Sequence, residues 1–335
     1  MKSLTDYEMP DILRDFLNYL QTIKGKSINT VRVYFYDLRV FFRFLKLHRN
    51  LADKKTEFDE IGILDVDAAL LSTVTLSDLY SYMSFVSNSR DNTSHARARK
   101  VASLKTFFNY LTTKAKLLNT NPTTELESPK IIKRLPRYLN VEESKKLLTS
   151  VSAVEGPNSV RDYAILTIFL NCGIRLSELV GINLSNIKNN TLTVIGKGDK
   201  ERSIPLNNAC VQAIAAYVKV RPVNGIKDKN ALFISGHKQR ISKESVQKIV
   251  KKYIREAGLD PQRYSTHKLR HTAATLMYKY GNVDIRALQE LLGHQSIATT
   301  EIYTHLDQQQ LRDAVSKNPL ADFGSSESAV TKEDE

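Results

Sequence analysis

The sequence predicts a mainly α protein with one small β-hairpin, an α+β chain arranged in two domains. Three observations carry this reading. Apolar residues recur at the helical spacing i, i+3, i+4, i+7 through most of the chain. A stretch rich in Pro, Thr and charge interrupts that pattern at 119–138. A single pair of short strand-like runs, Leu192–Ile195 and Glu201–Leu206, flanks the glycine-bearing loop Gly196-Lys-Gly.

With 335 residues the chain is long enough for two cores, since domains run to about 100–200 residues. A hydrophobic content of 41% and a charged content of 25% are those of a globular protein. Ile12, Leu13, Phe16, Leu17 and Leu20 space a first helix that Gly25 closes. A second begins near Asn29, read as its cap, and runs through Val31, Tyr34, Leu38, Phe41, Phe42 and Leu45. Residues 50–74 are less regular, a loop with short structure. Leu79, Tyr82, Met83 and Val86 mark another helix, and Val101, Leu104, Phe107, Phe108 and Leu111 one more. These four or five helices make a domain over 1–118. At this spacing the aromatic residues read as core and not as base-stacking platforms. Arg97, Arg99, Lys100 and Lys105 form a basic run on the last helix, open between a solvated face and a phosphate-contacting one.

Residues 119–138 are the linker, and a mixed domain follows over 139–323. Val141 opens a helix, and Tyr163 to Leu170 reads as a buried one. After the hairpin, helices are expected at 207–219, at 242–257 with Gly258 just past its end, at 268–280 before Gly281 and at 284–292 before Gly293. Residues 324–335 have the polar, acidic composition of a disordered tail.

The net charge of +13 is the outlying number, and it is spread over both halves. Both domains are therefore expected to meet one polyanion, with nucleic acid favoured over a membrane surface. Only Cys172 and Cys210 occur, which cannot build a disulfide framework and suits a reducing cytoplasm. No secretory leader and no run of about 18 apolar residues is read, so a soluble intracellular protein is expected.

The chemistry-bearing residues are those that suit a phosphodiester under attack by oxygen. Guanidinium groups stay charged and engage phosphate oxygens bidentately. Arg175, after Gly173 in a turn between two helices, and Arg270, in the first turn of the next, are placed for this, where helix amides also favour anions. Lys197 sits in the hairpin loop, from which an ammonium could protonate a leaving oxygen. His267 and His271 stand at i, i+4, which invites a zinc reading. The glutamate of a His-Glu-x-x-His motif is missing, however, and Arg270 beside them repels a cation, so no metal is expected. His294 follows Gly293 at a helix end. Tyr303, in the polar segment Thr299-Thr-Glu-Ile-Tyr303, is the candidate nucleophile, and its phenol needs a cationic pocket or a base to act near neutral pH.

The motifs Gly-Ile-Arg175-Leu-Ser-Glu178-Leu, Gly196-Lys197-Gly-Asp-Lys, Thr-His267-Lys-Leu-Arg270-His-Thr, Gln289-Glu-Leu-Leu-Gly-His294 and Thr-Thr-Glu-Ile-Tyr303-Thr-His resemble, in order and spacing, those of the tyrosine recombinase and integrase family, most closely its Xer type. The likeness is strong over 138–318 and weaker over 8–120. It implies an N-terminal helical core-binding (SAM-like) domain and a C-terminal catalytic domain that close on duplex DNA as a clamp. It implies attack by Tyr303 to give a 3′-phosphotyrosyl intermediate, with Arg175, Arg270 and His294 on the phosphate, Lys197 protonating the leaving oxygen, His267 in acid/base contact, and Glu178 supporting the pocket. No metal, ATP or other cofactor is implied. The implied partner is double-stranded DNA with a short inverted-repeat core site. It would be bound by a homotetramer on two sites, or by a heterotetramer with a paralogous recombinase, with an activating motor or accessory protein as a further partner. The segment Leu311–Phe323 would dock on a neighbouring protomer, and the location implied is cytoplasmic and nucleoid-associated. A type IB topoisomerase-like nicking-closing enzyme and a binding-only regulator on the same scaffold remain as alternative readings.

Overall fold

Side-chain caps begin most of the helices, although those at Asp11–Asn18, Pro157–Cys172 and Thr266–Tyr280 start without one. In the computed structural model, which describes residues 7–53, 55–90, 92–131, 137–154, 156–196, 200–281 and 283–293, the chain divides into two units, 1–133 and 134–335. In the first, α1 (Asp11–Asn18) runs into a wider turn at Tyr19–Ile23. It is followed by α2 (Ile28–His48), α3 (Ala68–Ser72), α4 (Leu76–Asn88) and α5 (Ser94–Thr113). Ser27, Asp67, Thr75 and Thr93 each accept a backbone N–H from the first turn they precede. Ser27, not Asn29, therefore caps α2, which starts before the expected position.

The core of this unit is aromatic. Phe16, Phe35, Phe41, Phe42, Tyr82, Phe107 and Phe108 are all fully buried, and Phe16 meets Phe107 edge-on with ring centroids 5.1 Å apart. The irregular stretch after α2 packs onto the same core through Ile63, Val66, Leu71 and Val74. Arg43 Nε donates to the Ile61 carbonyl at 3.0 Å and Lys46 Nζ to the Gly62 carbonyl at 2.9 Å, which fixes its course. Leu118 and Leu126 join this core as well, so the chain just past α5 packs on the first unit.

The basic run of α5 divides. Lys100 is buried against Asp37 of α2, Nζ to Oδ1 at 2.9 Å, and Arg99 Nη1 and Ser103 Oγ reach Asp37 Oδ2 at 2.6 and 2.9 Å. Arg97 donates to Ser87 Oγ. Lys100 thus takes neither of the two roles expected of that run, because the α2–α5 contact needs its charge.

The second unit is built around α7 (Pro157–Cys172), whose Ala164, Ile165, Leu166, Ile168 and Phe169 have no exposed surface. Around it stand α6 (Val141–Ser152), α8 (Leu176–Gly181), α9 (Asn208–Val220), α10 (Lys243–Glu256), α11 (Thr266–Tyr280) and α12 (Ile285–Leu292). The expected hairpin is β2 (Thr191–Ile195) with β3 (Glu201–Pro205), antiparallel, pairing Leu192 with Ile204 and Val194 with Arg202. A third strand, β1 (Ile187–Lys188), pairs with β2 and extends the sheet to the order β1-β2-β3. Among the described residues, no helix is long and apolar enough to cross a membrane. The tail at 324–335 lies outside the described residues.

Replacing Asp37 by Ala should cost about 3–5 kcal/mol, because Lys100 would stay buried without its counter-charge. Arg99, with 45% of its side chain exposed, adds little to that figure. Urea unfolding of the full chain measures the loss. A change no larger than about 0.5 kcal/mol, as at an ordinary surface position, would show that the contact does not depend on this ion pair.

Candidate active site

The second unit gathers three arginines at one helix end. α12 stops at Gly293, which takes the left-handed conformation (φ 65°). The Gly293 N–H serves the Gln289 and Glu290 carbonyls. The next three carbonyls, which a helix leaves without partners, each accept a guanidinium. Arg202 Nε reaches Leu291 O at 2.9 Å, Arg270 Nη2 reaches Leu292 O at 2.7 Å and Arg175 Nη2 reaches Gly293 O at 2.7 Å. Cations at this end also complement the negative pole of the helix dipole. His294, the next residue in the chain, lies outside the described residues, as do Lys197 and Tyr303.

Each arginine comes from a different element. Arg175 is the residue before α8, and its amide donates to Glu178 Oε2 at 2.7 Å, closing the first turn of that helix. Its Nη1 donates to Glu178 Oε1 at 2.8 Å. Arg202 stands on the core-facing side of β3 and forks onto the same carboxylate, Nη1 to Oε1 at 2.8 Å and Nη2 to Oε2 at 2.9 Å. Arg270 is buried on α11, and its Nη1 donates to the Gly173 carbonyl at 2.6 Å.

Gly173 itself needs the absence of a side chain. It ends α7 at φ 58°, and a Cβ there would meet Leu292 Cδ2 at 2.9 Å. That close approach brings the Gly173 carbonyl and the end of α12 within reach of one guanidinium.

Burial alone would raise the Glu178 carboxyl. Hydrogen bonds from the Arg202 fork, the Arg175 amide and the Arg175 guanidinium instead hold it down at about 2, so it is an anion shared by two cations. His267 lies in the first turn of α11, with its Nε2 3.2 Å from His271 Nε2. Burial pushes it below the usual imidazole range, and the charges of Arg270, Lys268 and Arg175 push the same way. The ring is therefore neutral near pH 7 and able to donate or accept a proton.

The structure thus brings Arg175, Arg270 and Glu178 together, with His267 close enough to feel both arginines. It corrects one placement. α11 begins at Thr266, two residues before the expected start, because Ser265 is the extended residue that precedes it. Arg270 consequently lies in the second turn, away from the helix amides, and points at carbonyls. Lys197 lies outside the described residues, but the hairpin that carries it enters the site. Gly196 N donates to Lys200 O at 2.8 Å, and a Cβ on Gly196 would stand 3.7 Å from Glu178 Oε1.

Arg202 is the residue that sequence reasoning missed. Its signal was its alternation with Ile204, which places a charge on the buried face of a half-buried strand. Among the described residues, no three or more His, Cys, Asp or Glu side chains are grouped to hold a metal ion.

Residues 137–310 match the family model described as the phage integrase family. Tyrosine recombinase XerC of Caldanaerobacter subterraneus subsp. tengcongensis is 60% identical over 312 residues, covering 93% of this chain and 88% of that protein. Tyrosine recombinase XerD of Listeria monocytogenes serotype 4b is 33% identical over 91% of this chain and 97% of its own length. Among solved structures, XerH site-specific recombinase bound to difH substrate in a pre-cleavage complex aligns with a TM-score of 0.67 at 23% identity, covering 91% of this chain and 83% of that one. A lambda integrase dimer bound to a COC′ core site aligns with a TM-score of 0.63 at 16% identity, over 86% of this chain and 96% of that one. At these identities the two structures establish the shared fold.

The Glu178 carboxyl titrates from an ordinary value of 4.5 down to about 2 on folding, so its contribution to stability is complete above about pH 5 and fades as the pH falls toward 2. The stability gap between wild type and Glu178→Gln should therefore be widest near neutral pH and close under acid, read from unfolding curves across that range. A constant gap would mean that Glu178 is not held as an anion.

Proposed function

The chain belongs to the phage integrase family and is an Xer-type tyrosine recombinase, an enzyme of site-specific DNA recombination; on that footing we propose that Tyr303 is its nucleophile and that Arg175, Arg270, Lys197, His267 and His294 handle the phosphate around it. The observation that carries this assignment is the convergence of Arg175 and Arg270 on the end of α12, the element whose chain leads directly into His294 and on to Tyr303.

In this reading the Tyr303 oxygen attacks the scissile phosphorus and the bond from phosphorus to the 5′ oxygen breaks. The products are a 3′-phosphotyrosyl strand and a 5′ hydroxyl, with Lys197 supplying the proton to the departing oxygen. Arg175 and Arg270 face the charge that grows on the non-bridging oxygens, the largest contribution a fixed site makes to such a step. His267, neutral near pH 7, accepts the phenol proton or donates to a phosphate oxygen. Glu178 holds Arg175 in place. The phosphotyrosine bond conserves the energy of the broken phosphodiester, so rejoining is the same step reversed by another 5′ hydroxyl.

The substrate in this proposal is double-stranded DNA with a short core site flanked by inverted arms. Support comes from the net charge of +13 and from relatives whose structures hold DNA, XerH on difH and lambda integrase on a COC′ core site. Residues 1–118 act as the core-binding domain, 119–138 as the linker and 139–323 as the catalytic domain. Four protomers work on two sites, either as copies of this chain or together with a paralogous recombinase. In this assembly the Leu311–Phe323 segment of each protomer docks on a neighbour. The alternative of a type IB topoisomerase-like enzyme gives way because the likeness to XerC extends over 93% of the chain.

Covalent trapping on sheared genomic DNA with random nicks tests the assignment. Wild type should leave SDS-resistant adducts clustered at one sequence, and Tyr303→Phe should bind the same DNA without forming any. Arg175→Ala should slow adduct formation by at least about 10²-fold. An adduct that survives Tyr303→Phe would remove Tyr303 from its role, and DNA binding by wild type with no adduct would favour a binding-only protein.

A further inference from the structure

Glu178 is buried, and its two oxygens carry four hydrogen bonds. The division of those bonds is unequal. Arg202 places one N–H on each oxygen, the strong bidentate arrangement, whereas the Arg175 guanidinium gives a single N–H to Oε1. Arg202 is largely covered, with 12% of its side chain exposed, while Arg175 keeps 34%. The inner arginine thus neutralises most of the carboxylate, and the outer one is oriented by it while retaining its charge toward solvent.

Arg202 makes a second connection. Its Nε holds Leu291 O at 2.9 Å, and it lies flat against Gly293, where an added Cβ would meet Arg202 Nη1, Cδ and Cζ at 3.1, 3.2 and 3.3 Å. The same turn supplies the carbonyls that fix Arg270 and Arg175. One side chain therefore connects the hairpin, the first turn of α8 and the end of α12.

We propose that Arg202 is a positioning residue for strand cleavage, which occupies the Glu178 carboxylate and the end of α12 so that Arg175 stays oriented and uncompensated for the phosphate. This rests on the recombinase reading and adds to it a residue that touches neither DNA nor the reacting atoms. Without Arg202, the Glu178 anion has Arg175 as its remaining cation. The two close into a bidentate pair, Arg175 loses its excess charge, and the α12 end loses one of its three guanidinium contacts. The effect falls on cleavage and not on DNA affinity, because Arg202 is covered.

The test uses the full chain and a nicked duplex carrying the site recovered by trapping. Arg202→Met, which keeps the stem and removes the fork, should slow formation of the Tyr303-linked adduct by about 10²-fold, as displacement of a reacting group does, with DNA affinity unchanged. Adding Glu178→Gln to Arg202→Met should restore at least about tenfold of that rate, because the uncompensated carboxylate goes with it. A purely structural stitch gives the opposite result, two losses that multiply, and that outcome overturns the proposal. So does a wild-type cleavage rate in Arg202→Met. If Arg202→Met does not fold, Arg202→Lys, which keeps the charge but not the fork, is held to the same two criteria. A wild type that forms no Tyr303-linked adduct overturns the recombinase assignment and this role together, whereas normal wild-type adducts with insensitive variants overturn this role alone.

Discussion

The three carbonyls at the end of α12 are the constraint on which the site depends. A helix end leaves such groups without partners, and here each is satisfied by an arginine from a separate element, Arg202 on β3, Arg270 on α11 and Arg175 ahead of α8. Three like charges at one place repel, and two things make the arrangement tenable. The helix end carries partial negative charge, and Glu178 lies between two of the three guanidiniums. Gly173 completes the arrangement from the other side, because only a residue without a side chain lets the end of α7 approach Leu292. The position of the helix end and the local charge are thus set by one set of hydrogen bonds.

Much of the fold was legible because its signals are local. Helical spacing placed α2, α4, α5, α7 and the four helices from α9 to α12, and the glycines at 258 and 293 stand just past helix ends with positive φ. The errors also have local causes. Ser27-Ile-Asn29-Thr offers two capping side chains in one turn, and the choice falls on the one whose own backbone is extended. β1 has two residues and is too short to show an alternation; it exists because β2 offers it an edge. The Asp37–Lys100 pair could not be read at all, since nothing near either residue announces a partner on another helix.

The site was legible to a different degree. Arg175, Arg270 and Glu178 were named from motifs, and the structure gathers them; Lys197, His294 and Tyr303 were named in the same way and lie outside the described residues. What the motifs did not carry was the orientation of the guanidiniums. Arg270 was expected among helix amides, yet it faces carbonyls, because α11 begins two residues earlier than its spacing suggested. Arg202 was read as an ordinary strand residue. Its pairing opposite Val194 put a cation on the face that enters the core, a pattern that calls for a buried anion partner, and Glu178 is that partner.

Net charge is a poor map of where such a protein meets phosphate. Many of its cations are consumed inside the fold, where they serve backbone carbonyls as hydrogen-bond donors. Arg43 serves Ile61, Lys46 serves Gly62, Arg161 serves Ile234, and Arg221 serves Lys229, Ala231 and Leu232. Asp37 and Glu178 show the difference between a structural and a poised cation. Each is a buried carboxylate shared by an inner, covered cation and an outer, partly exposed one. At Asp37 the third donor is the neutral hydroxyl of Ser103, so the cluster carries one spare charge on an open helix face. At Glu178 the neighbouring cation is Arg270, and all three guanidiniums are held by a helix end that cannot move without breaking them. Rigid excess charge favours a transition state because it needs no reorganisation when charge develops, and mobile excess charge does not have that advantage. Of the two clusters, only the one at Glu178 meets this requirement.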